Sequence, residues 1–300
     1  MTNPVASLRP YRTAVFDNAR WARFEPRPDD IFVCTPPKCG TTWTQTIVHS
    51  LLWPDGDGPV PVMTVAPWLE AEFFPIDGLL TRLAAQTHRR SIKSHTPADG
   101  IPFFDDAKYI FVARDGRDAF MSMCHHREVM KTEVVGALNA RALADGVPPM
   151  PPWDGDVRAF FAHWIEDRSL IAHVATFWER RRQPNLLLVH YNDLKADLSG
   201  EIRRIARFLE TPVPESKWPA VVERCTFEAM KARGEEIGNF AIFDGGAKGF
   251  LFKGTNGRWR DVLTPEDLEV YAKRVSDLLS PAASDWLEHG RRGAEPSSAP

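Results

Sequence analysis

Four cysteines in 300 residues, none at metal-ligand spacing, leave no basis for a disulfide scaffold or a zinc site. Cys34, Cys39, Cys124 and Cys225 read as the reduced thiols of a cytoplasmic protein. No apolar run approaches the ~18 residues of a membrane span, and the N-terminus lacks the basic-then-apolar order of a secretion signal. Basic charge is not in excess. With 37 Lys and Arg against 40 Asp and Glu, the net charge of −3 excludes a general nucleic-acid binder but allows a local basic pocket. There is no internal repeat, and no Gly/Ser/Pro linker separates two self-sufficient halves. One domain over residues 1–290 is expected, with 291–300 as a polar, disordered tail. The composition that remains, 43% hydrophobic and 26% charged, is globular and sufficient for a sizeable core.

Short apolar runs near residues 31, 91, 109 and 187 read as strands, with helical patterns between them, which predicts an α/β fold around a parallel sheet. Helices are expected over 11–24, 157–183, 198–210 and 219–233. Another is expected from Thr264, with Thr as N-cap and Pro at the first helical position, to about 279.

The first strand, Ile31-Phe32-Val33-Cys34, runs into Thr35-Pro36-Pro37-Lys38-Cys39-Gly40-Thr41-Thr42-Trp43, and Ile47 and Leu51 continue at helical spacing. A tight loop between strand and helix is how an anion cradle is built. The first N–H groups of a helix lack internal partners and carry the positive end of its dipole. Lys38 adds a full charge, and Thr41 and Thr42 add hydroxyls. A Walker A loop needs a glycine four positions before a Gly-Lys pair, and no glycine precedes Lys38 here. Phosphate-binding physics therefore applies without implying a nucleoside triphosphate. An ordinary strand–helix turn is the alternative.

Lys93 and His95 stand two apart on the next strand, before Pro97, so they share one side of the sheet end. A histidine there can take a proton from a hydroxyl; a solvated strand end is the alternative. Arg114 ends the third strand and Ser122 falls in the first turns of the next helix, a second place for an anion. His125 and His126, adjacent on a helix, do not share a face and make no metal site. Residues 234–260 carry seven glycines with interleaved phenylalanines, lysines and arginines. They read as a flap over an anionic ligand or as a disordered loop.

Taken together, these pieces resemble the soluble sulfotransferases that use 3'-phosphoadenosine 5'-phosphosulfate (PAPS), over roughly residues 28–290. Pro37-Lys38-Cys39-Gly40-Thr41-Thr42-Trp43 is similar to the family's 5'-phosphosulfate loop, and Lys93-Ser94-His95-Thr96-Pro97 to the stretch holding its catalytic histidine. Arg114 and Ser122 match the pair at the 3'-phosphate, Tyr191 the tyrosine near the adenine, and Thr226-Phe227 the stretch whose phenylalanine packs on the adenine. The run from Phe250 to Trp259, with Lys253 and Gly254, resembles the late flap. Pro67-Trp68-Leu69 and His289-Gly290-Arg291-Arg292-Gly293 are similar to actinobacterial glycolipid sulfotransferases.

The resemblance implies sulfuryl transfer to an acceptor hydroxyl, with His95 as base and no metal. Lys38 and Lys93 would stabilise negative charge, and the backbone of Gly40, Thr41 and Thr42 would hold the 5'-phosphate. Trp43 and Phe227 would sandwich the adenine. Segments 54–78 and 124–156, apolar and aromatic, would form the acceptor pocket for a hydrophobic alcohol, phenol or glycolipid. Three positions depart from the family pattern. Cys39 replaces a serine whose N–H is the part required, Cys225 replaces a threonine, and Phe252 replaces an arginine that binds the 3'-phosphate. Lys248, Lys253 and Arg258 are the cations left to compensate. Arg260, Thr264, Pro265 and Glu269 echo a family dimer motif with proline in place of valine, which leaves a homodimer open. A non-catalytic nucleotide-binding relative stays open as well. A small-molecule kinase should show Gly-Lys-Ser/Thr and an acidic magnesium ligand at a strand end, and neither is present.

Overall fold

The computed structural model describes residues 8–166 and 170–292. Its centre is a parallel sheet of four strands, β1 (Ile31–Cys34), β2 (Ser91–Ser94), β3 (Lys108–Ala113) and β4 (Leu186–His190). Their order is β2-β1-β3-β4. β1, β3 and β4 are apolar on both faces because helices cover both, whereas β2 is the polar run Ser-Ile-Lys-Ser. Period-two alternation divides the core accordingly. Phe32, Tyr109, Phe111 and Leu188 face one layer with Trp21, Phe177 and Trp286. Ile31, Val33, Ile110, Val112 and Val189 face the other with Ile47, Leu51 and Ile202. The register sets Phe32 opposite Tyr109, with their rings stacked at 4.8 Å. At the strand starts, Arg90 binds Asp30 with two hydrogen bonds, 2.8 and 2.5 Å, and both residues are buried.

From β1 the chain crosses outward to β2 on one side, and from β3 it crosses outward to β4 on the other. The loops leaving β1 and β3 therefore diverge, and the crevice between them is where an open parallel sheet receives a ligand. The helix Thr41–Leu52 rises directly from the loop after β1. The helix Gly116–Val129 follows β3, capped by the Asp115 side chain accepting from the Arg117 N–H. Pro265–Leu278 begins with the expected cap, as Thr264 and Asp267 form a reciprocal capping box.

Several elements differ from the sequence expectation. In place of a helix over 11–24 there is a short 3-10 turn, Asn18–Arg23. Thr13 Oγ1 accepts from the Val15 and Phe16 N–H groups and Asp17 from that of Ala19, so side chains take the donors a helix would need. The helical stretch 219–233 is two helices, Trp218–Arg224 and Phe227–Ala232, because Thr226 caps the second by accepting from Ala229 N–H. The stretch 157–183 is described as Val157–Glu166 and Leu170–Glu179, with 167–169 outside the described residues. The glycine-rich segment packs a small core of its own, in which Phe240, Phe243 and Leu251 are buried with Met130 and Met230. Of the expected tail, 293–300 lie outside the described residues, whereas Arg291 is docked on Asp193 and Glu201.

Candidate functional site

The crevice between β1 and β3 opens into a cavity of about 1630 Å³. The loop after β1 forms one wall. Lys38 takes φ 69° and Gly40 φ 105°, both left-handed. Gly40 is required twice over: by that angle, and because a Cβ there would sit 3.1 Å from the Tyr191 ring. It provides no side-chain cap, so the first N–H groups of the helix are left open toward the cavity. Thr35 Oγ1 and Thr41 Oγ1 lie 2.5 Å apart and tie the loop across its base.

β2 ends on the same cavity, and Lys93 and His95 both line it. His95 Nδ1 lies 2.6 Å from the Thr35 carbonyl oxygen. A carbonyl only accepts, so Nδ1 carries the proton and Nε2 keeps its lone pair. Burial, then the charge of Lys93, push the imidazole pKa well below the usual histidine value, which keeps the ring neutral. Lys38 is lowered to about 7, first by burial and then by Lys93 and Arg114. Lys93 is lowered to about 8 by burial, with Glu70 acting in the opposite direction. Both amines therefore lose their proton more readily than a free lysine does. Trp68 touches both Lys93 and His95, with the Lys93 ammonium 4.4 Å from its ring centre and the His95 ring edge-on at 4.7 Å. The surface loop expected over 54–78 is fastened here, since Lys93 N–H donates to Pro67 O and Leu69 N–H to Lys93 O.

A flat aromatic slot lies on the other side of the loop. Trp43 Nε1 donates to the Cys225 carbonyl at 2.7 Å, and its ring meets Tyr191 edge-on at 5.2 Å. Gly254, at φ 62°, presses against Phe227, where a Cβ would approach the ring to 3.0 Å. Thr226 holds Phe227 at a helix start. Arg114 lies 4.2 Å over the Tyr191 ring, and its donors reach Thr255 O at 3.0 Å and Asn256 Oδ1 at 2.7 and 3.2 Å. Ser122 also lines the cavity, as does the exposed Lys253.

The fold thus brings every predicted site residue to this cavity except Cys39. The Cys39 side chain points into the core, where burial pushes its thiol up to about 12, and its N–H lies 3.4 Å from Pro36 O. Two participants were not predicted. His126 Nδ1 lies 3.4 Å from the Lys38 ammonium. Burial and that neighbouring charge hold this histidine neutral, so it accepts from the lysine. Glu70 is a buried acid behind β2 that accepts from Trp21 Nε1 and Ser94 Oγ. No spacing marks it in the sequence; only its place beside Pro67-Trp68-Leu69 hints at a role.

The rest of the cavity is mainly apolar, with Arg82, Arg127 and His163 among its polar lining. Segments 54–78 and 124–156 line it as expected, through Phe73 and Met130 among others, and Phe16, Phe160 and Trp164 join them from elements not foreseen there. Among the described residues, no group of three or more His, Cys, Asp or Glu is placed to hold a metal ion, and no helix is long and apolar enough to cross a membrane.

Comparison with known proteins agrees with this geometry. Residues 28–281 match the family model described as a sulfotransferase domain. A glycolipid sulfotransferase of Mycobacterium bovis (strain BCG / Pasteur 1173P2) is 32% identical, with 99% of each chain covered. Mouse sulfotransferase 1B1 is 30% identical over 85% of this chain and 87% of its own. In fold, the chain is similar to mouse sulfotransferase SULT7A1 solved with PAP (TM-score 0.65, 20% identity, 86% of each chain). It is also similar to retinol dehydratase solved with androsterone and the inactive cofactor PAP, at TM-score 0.68 and 24% identity over 88% of this chain and 86% of that one. With the domain matched over most of its length and a full-length relative at 32% identity, the chain belongs to the sulfotransferase family.

Proposed function

We propose that this sulfotransferase moves a sulfuryl group from PAPS to the hydroxyl of an apolar acceptor, with His95 as general base. The observation that carries the reading is the His95 hydrogen bond to the Thr35 carbonyl, which leaves Nε2 unprotonated at the cavity end of β2. The acceptor oxygen attacks sulfur, the bond from sulfur to the 5'-phosphate oxygen breaks, and the acceptor proton passes to His95 Nε2. The product nucleotide is 3'-phosphoadenosine 5'-phosphate (PAP), the ligand named in the SULT7A1 and retinol dehydratase structures. Lys38 and Lys93 neutralise charge that builds on the transferring group and on the leaving phosphate. Gly40, Thr41 and Thr42 offer their N–H groups to the 5'-phosphate, Trp43 and Phe227 enclose the adenine, and Arg114 with Ser122 flank the 3'-phosphate. Sulfuryl transfer by this route is mainly positioning and electrostatics, as in phosphoryl transfer.

The acceptor is read from the remaining volume. Phe16, Trp68, Phe73, Met130, Phe160 and Trp164 offer an apolar wall, which suits a lipid-linked or polycyclic alcohol better than a free sugar. A glycolipid is the favoured class, since the 32% identical relative carries that name. His95→Ala is expected to lower turnover at least ~100-fold while PAP binding, followed by calorimetry, stays within a few-fold of wild type. Normal turnover in that variant would refute the assignment of the base. A screen of phenols, sterols and glycolipids with labelled PAPS tests the acceptor class, and sulfation confined to polar sugars would overturn it.

A further inference from the structure

We infer that Arg258 supplies the guanidinium that faces the donor's 3'-phosphate, in the role vacated where Phe252 stands for arginine; this rests on the donor reading above. Of the three cations open to that role, Lys248 is exposed and lies outside the cavity lining. Lys253 lines the cavity but is exposed, with its ammonium 4.9 Å from the Phe252 ring. Arg258 lines the cavity and is partly buried. Its Nε is fully buried with no hydrogen-bond partner, and among the described residues its guanidinium makes no hydrogen bond or ion pair.

Arg258 is thus a partly buried guanidinium without a protein partner at the cavity wall. Nε is sealed from water without a partner, while the Nη donors are unpaired within the described protein and remain reachable from the cavity, where an arriving anion would meet them. Burial and the charge of Arg114 both act against Arg258; the opposing carboxylate of Asp118 accepts from the Gly257 N–H at 2.6 Å and makes no ion pair with Arg258. Arg114, by contrast, is already engaged with Thr255 and Asn256. Arg114 braces the flap with most of its donors while it flanks the 3'-phosphate position, and Arg258 has its Nη donors uncommitted. Phe252 explains how Arg258 is held without spending those donors. The Phe252 ring stacks on His125 at 3.8 Å and 13°, His125 Nε2 donates to Gly249 O, and the Arg258 guanidinium rests 5.6 Å from the Phe252 ring centre. An aromatic platform orients a guanidinium through its face and leaves its N–H edge free. The substitution at 252 and the arginine at 258 thus form one arrangement, in which a ring takes the first position and the charge moves six residues on.

The test compares two nucleotides that differ only in the 3'-phosphate, PAP and 5'-AMP, by calorimetry on the full chain. Wild type is expected to prefer PAP strongly. Arg258→Met should weaken PAP by about 10- to 100-fold, the range of one charge-assisted bond, and leave 5'-AMP within about threefold. Arg258→Lys should recover part of the loss, since it restores charge without the fork. Lys253→Met should weaken PAP less than Arg258→Met does, since an exposed cation contributes less. Equal weakening of both nucleotides by Arg258→Met would make Arg258 a structural part of the flap and overturn the assignment. So would an unchanged PAP affinity, or a PAP-specific loss found in Lys253→Met instead. A wild type that binds both nucleotides alike would overturn the donor reading itself, an outcome visible before any variant is made.

Discussion

Binding of PAP above neutral pH should draw protons from solution, and the count can be worked from the site. Lys38 is held at about 7 and Lys93 at about 8 because both ammonium groups are removed from water, and Lys38 also faces Lys93 and Arg114. At about pH 8.5 the free protein therefore carries both mostly neutral. An arriving 5'-phosphate reverses the balance, since an opposite charge at hydrogen-bond distance favours the protonated amine. Both pKa values then return toward the ordinary lysine range, and binding takes up about one to two protons. The phosphates add nothing to this count, because their second ionisation, near 6, is complete at that pH. The sign follows: affinity is full below about 7 and falls as pH rises through the window between the free and bound pKa values, by up to about tenfold per unit for each proton. Calorimetry in two buffers of different ionisation enthalpy measures the uptake directly. Lys38→Met should reduce it by about one proton. Uptake below ~0.3 proton in wild type at about pH 8.5 would refute the picture of two lysines discharged ahead of the ligand.

Two further predictions concern the scaffold of the site. Gly40→Ala must hold φ near 105° and place a methyl 3.1 Å from the Tyr191 ring; backbone strain of about 1–3 kcal/mol is expected, read as a PAP affinity at least about tenfold weaker. Wild-type PAP binding in that variant would show that the loop does not need its left-handed turn. Asp30→Ala leaves the buried Arg90 guanidinium without its two bonds at the start of β1 and β2, and equilibrium urea unfolding should show a loss of about 3–5 kcal/mol. A loss under ~1 kcal/mol would mean that water or the Glu25 carbonyl, already 2.9 Å from Arg90 Nη2, satisfies the charge, contrary to expectation.

The parts of this molecule that were legible in the sequence are those whose meaning is local. A strand, a loop and a helix start can be read from contiguous residues, so β1 with the Lys38–Thr42 loop, and β2 with Lys93, fall where expected, although β2 ends at Ser94 and His95 stands one residue past it. The same holds for the capped helix from Thr264. The misses share a different cause. Thr226 divides a helical stretch because its hydroxyl finds the Ala229 N–H, one of several local bonds its sequence allows. Cys39 turns its side chain into the core within a motif whose spacing says nothing of side-chain direction. Glu70 acquires its role only when β2 and Trp21 meet it from 24 and 49 residues away. Arg114 and Arg258 make the point most sharply. The sequence marks Arg114 by its place at a strand end and Arg258 only as one of three spare cations, and no pattern says which has donors left uncommitted. Long-range contacts do, by occupying the donors of Arg114 with Asn256, 142 residues along the chain, while leaving those of Arg258 open. A binding group is defined as much by the partners it lacks as by its type, and lacking a partner is a property only the folded chain possesses.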